Sequence, residues 1–189
     1  MQTLKIKLVG TSPLLMHNER LADPLDAVTK ELKRTTSKKK KTDEDHEQVA
    51  RIEWEGGLYF DDKIGPYLPG WNLVATLKSA GRLSKRGKDI ERAVNILEDK
   101  VPVQYSGPRK LDAMYKAGMR DRRSVGVMGK RVIRTRPRFE EWAVEFTLLF
   151  EEGVFNRDDL VAILADAGTM IGTGDFRPRF GRFSVEVVN

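Results

Sequence analysis

One stretch near the carboxyl end of the chain concentrates residue types that bind anions. Residues 172–182 read Gly-Thr-Gly-Asp-Phe-Arg-Pro-Arg-Phe-Gly-Arg, with three glycines and three arginines. Gly172 and Gly174 allow left-handed backbone and close approach of a partner, and successive amides in such a turn can form a nest for an anion. Planar guanidinium groups suit phosphate, and here they belong to Arg177, Arg179 and Arg182. The pattern predicts a phosphate-binding loop; the alternative is a glycine-capped connector with solvated arginines.

A second concentration of positive charge lies earlier in the chain. Between Arg120 and Arg138 eight residues are lysine or arginine, and Asp121 is the only acid. Clustered bases favour phosphate-rich partners, because each neutralised phosphate releases a condensed counterion. The net charge of +6 is by itself equally explained by ordinary solubility, so the prediction depends on the clustering. The residues expected to line a track for nucleic acid are Arg122, Arg123, Arg131, Arg134 and Arg136.

Catalytic chemistry has one candidate residue. His17 follows the first expected strand, with Asp23 and Asp26 after it, and a histidine can act as the general base in RNA cleavage. We favour the alternative, in which His17 hydrogen-bonds a carbonyl at a strand end and the protein is not an enzyme. Asp61-Asp62 predicts a turn rather than a metal site, because turns favour aspartate without any ion. No metal and no cofactor are expected.

The composition is that of a globular protein with a charged surface. Of 189 residues, 40% are hydrophobic and 33% are charged, and no cysteine is present. Disulfides and cysteine-ligated zinc are therefore excluded, and the cytoplasm is the expected compartment. We find no signal peptide and no apolar run of the roughly 18 residues that a membrane span needs, so no membrane partner is expected.

Hydrophobic periodicity predicts the secondary structure. Apolar residues alternate in strands at about 3–9, 142–150 and 183–187, as in half-buried strands. A further strand at 101–105 is expected at a sheet edge, because Pro102 has no amide for the ladder. The helices are expected at about 42–52, 72–81, 88–97 and 156–171. Their predicted amino-terminal caps are a Thr42 and Asp45 capping box, Asn72 and Asn156.

The aromatic residues have several expected roles. Trp142 lies in the buried phase of its strand. Trp54 and Trp71 flank turns, and at least one of them is expected in the core while the other is free to stack on a base or a neighbouring subunit. Phe176 and Phe180, in the phosphate-binding loop, either stack on bases or pack inward.

Two charged segments interrupt this framework. Residues 19–45 join a basic block to an acidic block with almost no apolar residue, which predicts an exposed, flexible insertion. Residues 106–138 predict a basic loop or hairpin insertion that turns at Met128-Gly129. The other elements give strand–helix–strand twice, which is the order of a single α+β, ferredoxin-like (RRM-like) domain over residues 1–189. Its antiparallel sheet is expected to have helices on one face.

Three motifs resemble the RAMP superfamily, the ferredoxin-like RNA-binding subunits of CRISPR effector complexes. The segment 65–78, Gly-Pro-Tyr-Leu-Pro-Gly-Trp-Asn-Leu-Val-Ala-Thr-Leu-Lys, is similar to the Pro-Gly turn and following helix of that family. The stretch 172–183 resembles its glycine-rich loop, and 12–17, Ser-Pro-Leu-Leu-Met-His, resembles its opening. One departure is Trp71, which stands where family members usually have serine.

The resemblance implies a backbone-type subunit that assembles side by side along single-stranded RNA. In such subunits the glycine-rich loop and projecting basic loops contact phosphates. Lys78, the last residue of the first motif, joins the expected nucleic-acid contacts. The lysine-rich insertion or the hairpin near Met128 takes the place of the projecting thumb of the family. The small size fits a stand-alone member, such as one carried by a phage or another mobile element.

Four functions remain open from the sequence. The leading hypothesis is a non-enzymatic protein that binds single-stranded RNA and self-associates into a filament or multi-subunit complex. The second is a metal-independent endoribonuclease of the same fold that uses His17. The third is a protein–protein module that interferes with CRISPR complexes or assembles a phage structure. The fourth is a phage protein that binds single-stranded DNA during replication or recombination.

Overall fold

The computed structural model describes residues 1–127 and 129–188, so Met128, where the hairpin was predicted to turn, lies outside the described residues. Contacts between Cα atoms divide the chain into two compact units. Unit 1 consists of Met1–Leu14, Phe60–Ser106 and Glu140–Asn189. Unit 2 consists of Leu15–Tyr59 and Gly107–Phe139. The expectation of one domain over residues 1–189 stays a prediction.

The described residues form strands and helices of very different lengths. The strands are β1 (Gln2–Gly10), β2 (Leu14–Leu15), β3 (Phe60–Asp61), β4 (Gly65–Pro69), β5 (Val94–Ile96), β6 (Lys100–Tyr105), β7 (Arg120–Val127), β8 (Lys130–Phe139), β9 (Trp142–Phe150) and β10 (Phe183–Val187). The α-helices are α1 (Ala27–Thr36), α2 (Asp43–Gly57), α3 (Gly70–Gly81), α4 (Gly87–Ala93), α5 (Leu111–Lys116) and α6 (Arg157–Asp166). No helix in the described part of the chain is both long enough and apolar enough to span a bilayer.

Unit 1 is built on an antiparallel sheet with the order β10-β1-β9-β6-β4-β3, and β5 pairs with the end of β9. Four of its strands lie side by side in the order β10-β1-β9-β6. Numbered among themselves along the chain, these are the fourth, first, third and second strands. Helix α3 lies in the chain between β1 and β6, and α6 lies between β9 and β10. This is strand–helix–strand twice in one sheet, which confirms the α+β, ferredoxin-like fold.

The core of unit 1 follows the predicted alternation of β9. Every second residue of β9 from Trp142 to Phe150 is buried, and Trp142 is 3% exposed. The indole N–H of Trp142 donates to the Ser12 carbonyl at 2.8 Å. The predicted core role of this tryptophan is therefore confirmed. Helices α3 and α6 contact each other and contact strands of the same sheet.

Three local predictions in unit 1 were wrong. Helix α3 begins at Gly70, after Pro69 and without a side-chain cap, so Asn72 lies within the helix. Helix α4 ends at Ala93 because the chain then pairs with β9 as β5, which leaves Leu97 62% exposed. Strand β6 is not at an edge: its last half pairs with β9 and its first half, with Pro102, pairs with β4. The proline is tolerated because its two neighbouring strands pair with different halves of β6.

Unit 2 contains α1, α2, α5 and the antiparallel strands β7 and β8. The predicted capping box of α2 is confirmed, since the Thr42 hydroxyl and the Asp45 carboxylate each accept the backbone N–H of the other residue. The helix continues to Gly57 and buries Trp54 completely. The Trp54 indole N–H donates to the Met119 carbonyl at 2.7 Å.

Much of the charged segment 19–45 is helical, although its composition predicted no order. Asp26 caps α1 by accepting the N–H groups of Val28 and Thr29. The Lys38 ammonium group lies 2.5 Å from the Asp45 carboxylate and lowers its pKa. The Asp26 cap stabilises the start of α1, and its large apolar residues, Val28 and Leu32, lie four residues apart on one face. So short an apolar pattern among many charges gives little signal for a helix. The predicted mobility of 19–45 stays a prediction.

The predicted hairpin within 106–138 is confirmed. Strands β7 and β8 are antiparallel and pair from Arg120 with Pro137 to Val127 with Lys130. Before the hairpin, the segment expected to be a loop contains α5, whose Tyr115 ring makes an edge contact with Trp54.

Candidate nucleic-acid interface

Glycines allow the two ends of the predicted phosphate-binding loop to approach each other. Helix α6 continues through a π-helical turn at Ala167–Ile171, and Gly172, with φ of 74°, ends it as predicted. The Thr173 N–H donates to the Gly181 carbonyl at 2.8 Å. Gly181 has φ of 71°, and a Cβ there would lie 1.8 Å from the Thr173 carbonyl oxygen. Only glycine fits this position without moving the backbone.

The two glycines predicted to bind phosphate have different surroundings. Gly172 is buried, and its N–H donates to the Ala167 carbonyl at 2.7 Å, so this amide belongs to the helix end rather than to an anion nest. Gly174 has φ of 78° and is half-buried. No protein acceptor for the Gly174 amide is found among residues 1–127 and 129–188.

The three arginines of the loop are all exposed. The Nε of Arg182 donates to the Pro178 carbonyl at 2.8 Å, which stabilises the loop backbone. Within the described residues, Arg177 and Arg179 make no ion pair with a carboxylate. Their charges are therefore available to a polyanion.

The loop phenylalanines divide between the core and the surface. Phe180 packs inward and is 7% exposed. Phe176 is 38% exposed, and its ring centroid lies 5.9 Å from that of Phe180. Phe176 also adopts φ of 58°, an unusual backbone conformation for a bulky residue, and such outliers are often found at functional sites. Phe176 is thus a loop aromatic that can stack on a base.

Lys78 is already engaged by an acid of unit 1. Its ammonium group lies 2.5 Å from the Glu91 carboxylate and lowers the Glu91 pKa through a hydrogen bond. Its positive charge is therefore partly compensated, which weakens the expectation that it contacts nucleic acid.

The register of the hairpin separates its arginines into two faces. Directly paired residues of an antiparallel ladder project from the same face, and Arg123 pairs with Arg134 while Asp121 pairs with Arg136. On this face Arg123 forms an ion pair with the buried Asp121, and that hydrogen bond raises the pKa of the guanidinium. Arg136 is 8% exposed. These residues stabilise unit 2 and do not form an open track.

Arg134 of the same face is held by a carboxylate from α2. Its guanidinium lies 2.5 Å from Glu53 Oε1, and the Thr135 N–H donates to Glu53 Oε2 at 2.9 Å. Glu53 is 4% exposed. Its partners lie on β8, far along the chain, so no local sequence signal reveals this ion pair.

The other face of the hairpin presents exposed cations. Ser124 pairs with Ile133, and Gly126 pairs with Arg131, so these residues share a face with Arg122. Arg122 and Arg131 are exposed, and Arg131 donates to the Ser124 hydroxyl at 3.3 Å. Ile133 is 52% exposed. Ile133 was not among the predicted contact residues, although its two-residue spacing from Arg131 indicates a shared face of the strand.

The carboxylates near His17 have structural roles. His17 itself is exposed in unit 2. Asp23 accepts the Leu25 N–H at 2.8 Å, and Asp26 caps α1. Both carboxylates therefore serve the local backbone of this segment.

The Asp61-Asp62 segment is a turn, as predicted. Asp61 accepts the N–H groups of Lys63 and Ile64. The Lys100 ammonium group, 2.6 Å away, is the main reason that the pKa of Asp61 is lowered to about 2. No cluster of three or more potential metal ligands occurs in the part of the chain that the structure describes.

Comparison with solved structures finds chains similar to this one. The chain is similar to a chain in the cryo-EM structure of the Type III-B Cmr-beta bound to cognate target RNA, with a TM-score of 0.44 and 11% sequence identity. The alignment covers 100% of this chain and 60% of that one. No protein-family model matches the sequence, and no curated protein matches it.

Proposed function

We propose that this protein binds single-stranded RNA by its backbone through two arginine-bearing surfaces. The loop surface consists of Gly174, Phe176, Arg177, Arg179 and Arg182. The hairpin surface consists of Arg122, Arg131 and Ile133. The observation that carries the proposal is the exposure of Arg122, Arg177 and Arg179 without a carboxylate partner among the described residues.

Each surface combines phosphate contacts with apolar contacts. Guanidinium groups bind phosphate oxygens through paired hydrogen bonds, and the Gly174 amide adds a backbone donor. Phe176 on the loop surface and Ile133 on the hairpin surface are exposed apolar groups beside those cations. An aromatic ring stacks on any base, so the contact at Phe176 is tolerant of sequence. The proposed binding is therefore strong in phosphate contacts and weak in sequence preference.

Salt dependence tests the phosphate contacts. We expect log Kd for a labelled 30-nucleotide RNA to change linearly with log salt. The double variants Arg177→Ala/Arg179→Ala and Arg122→Ala/Arg131→Ala should each reduce that slope by about 1.4, because each lost phosphate contact on a single strand contributes about 0.7. The matched control is Arg92→Ala/Arg157→Ala, which removes two exposed cations outside both surfaces. Equal slopes for all three double variants would refute the proposed surfaces.

Two further arms decide which nucleic acid is bound and how. RNA should compete better than DNA of the same sequence, because DNA lacks the 2′-hydroxyl; equal competition would favour a single-stranded DNA protein. Self-association along the strand predicts that the number of chains bound rises stepwise with RNA length in sedimentation experiments. The RNA should remain intact, and cleavage abolished by His17→Ala would replace this proposal with an endoribonuclease.

A further inference from the structure

A cavity of about 410 Å³ lies within unit 2, between α1, α2 and β8. This volume is in the range of sites for small molecules. Its apolar lining is aliphatic and includes Leu21, Leu32, Val49 and Val132. The imidazole of His17 is the aromatic ring in the lining, and no Phe, Tyr or Trp side chain lines the cavity within the described residues.

One cation in the polar lining of the cavity has no anionic partner in the described part of the chain. Arg134 and Glu53, which both line the cavity, form an ion pair with each other. Lys33 also lines it; this residue is exposed, and its ammonium group makes no ion pair within residues 1–127 and 129–188. A ligand with negative charge would pair with Lys33.

A buried hydroxyl in the lining is also unsatisfied. Thr135 lines the cavity and is 3% exposed, and its Oγ1 has no hydrogen-bond partner in the described part of the chain. An unpaired buried hydroxyl is costly. A ligand oxygen reached by a small rotation of this side chain would give it a partner.

We propose that this cavity binds a small aliphatic anion, a short hydrocarbon chain that ends in a carboxylate or a phosphate. The chain would pack against Leu32, Val49 and Val132. The headgroup would lie at Lys33, whose ammonium group supplies hydrogen-bond donors. Ile133 of the hairpin surface also lines this cavity, whereas Arg122 and Arg131 are not among its lining residues.

Calorimetric titration of the full chain with octanoate, octyl phosphate and octan-1-ol tests the site. The three probes share the chain and differ in the headgroup. We expect at least one of the two anions to bind about tenfold more tightly than the alcohol, as a charge-assisted hydrogen bond requires. The comparison of octanoate with octyl phosphate then identifies the preferred headgroup. Equal affinity for all three probes, or no binding at millimolar concentration, would overturn the proposal.

Two variants locate the binding within the cavity. Lys33→Ala should weaken binding of the preferred anion about tenfold, whereas Lys30→Ala, on the same helix but outside the lining, should leave it unchanged. Val49→Phe fills the apolar side and should abolish binding, with folding verified by circular dichroism. If Val49→Phe does not fold, the comparison of Lys33→Ala with Lys30→Ala tests the site alone. Equal anion affinities for these two lysine variants would refute the site. The affinity for RNA should be unchanged in Lys33→Ala. A negative result for the anion site would therefore not bear on the proposed RNA binding.

Discussion

Replacing Gly181 by alanine tests whether the two ends of the arginine-rich loop, at Thr173 and Gly181, approach each other as described above. Gly181 has φ of 71°, and a new Cβ would meet the Thr173 carbonyl oxygen at 1.8 Å. The control is Gly65→Ala in the same unit, where φ is 83° and no described atom lies within 4 Å of the new Cβ. Both variants incur the left-handed backbone penalty, roughly 1–2 kcal/mol. Only Gly181→Ala adds a clash against backbone, about 1–3 kcal/mol more.

Urea unfolding followed by circular dichroism measures the difference between these two variants. We expect the free energy of unfolding to fall by at least about 1 kcal/mol more in Gly181→Ala than in Gly65→Ala. Amide hydrogen exchange in β1 and β10 then shows that the loss lies in unit 1. Equal losses in the two variants would mean that Thr173 and Gly181 do not approach each other, and the loop geometry proposed to display the arginines would be wrong.

Three other predictions concern single side chains. Glu53→Gln should destabilise the protein by about 2 kcal/mol in urea unfolding, because a buried carboxylate loses its charge-assisted hydrogen bonds, whereas Glu47→Gln on the exposed part of the same helix should have no effect. An NMR titration should give Asp61 a pKa of about 2, and in Lys100→Met this pKa should return towards the ordinary value of an aspartate. The stability contributed by the Asp61–Lys100 ion pair is fully present above the unfolded pKa and is lost as pH falls through about 2. Trp71→Phe should remove most acrylamide-quenchable fluorescence, because the other tryptophans are buried; unchanged quenching would contradict the exposure of Trp71.

The sequence predicted elements whose signals are local. The two-residue alternation of β9 and the capping box at Thr42 depend on neighbouring residues only, and both are confirmed. Helix α1 is not evident from the sequence, because its signals are the Asp26 cap and a short apolar face of Val28 and Leu32 among many charges. Pro102 predicts an edge position for β6, because the local sequence does not show that two strands pair with different halves of β6.

The candidate site shows the same division between local and long-range information. The exposed Arg177 and Arg179 follow from a local glycine-rich pattern. In the hairpin, the composition predicts the same role, contact with nucleic acid, for five arginines. The structure separates them, because Arg134 is bound by Glu53 from a distant helix and Arg136 is buried. Contacts between residues distant in the chain determine which arginines are exposed. Such contacts cannot be predicted from one sequence by local patterns.

The way the two units share the chain sets an order for folding during synthesis. Among the described strands, β1 pairs only with β9 and β10, so both of its edges lack partners until the ribosome has passed Trp142. Both segments of unit 2 are complete by Phe139, before β9 exists. Bare strand edges pair readily with other chains. Fragments that stop before Trp142 therefore retain an aggregation-prone first strand, and a nascent chain carries the same hazard until its last quarter has emerged.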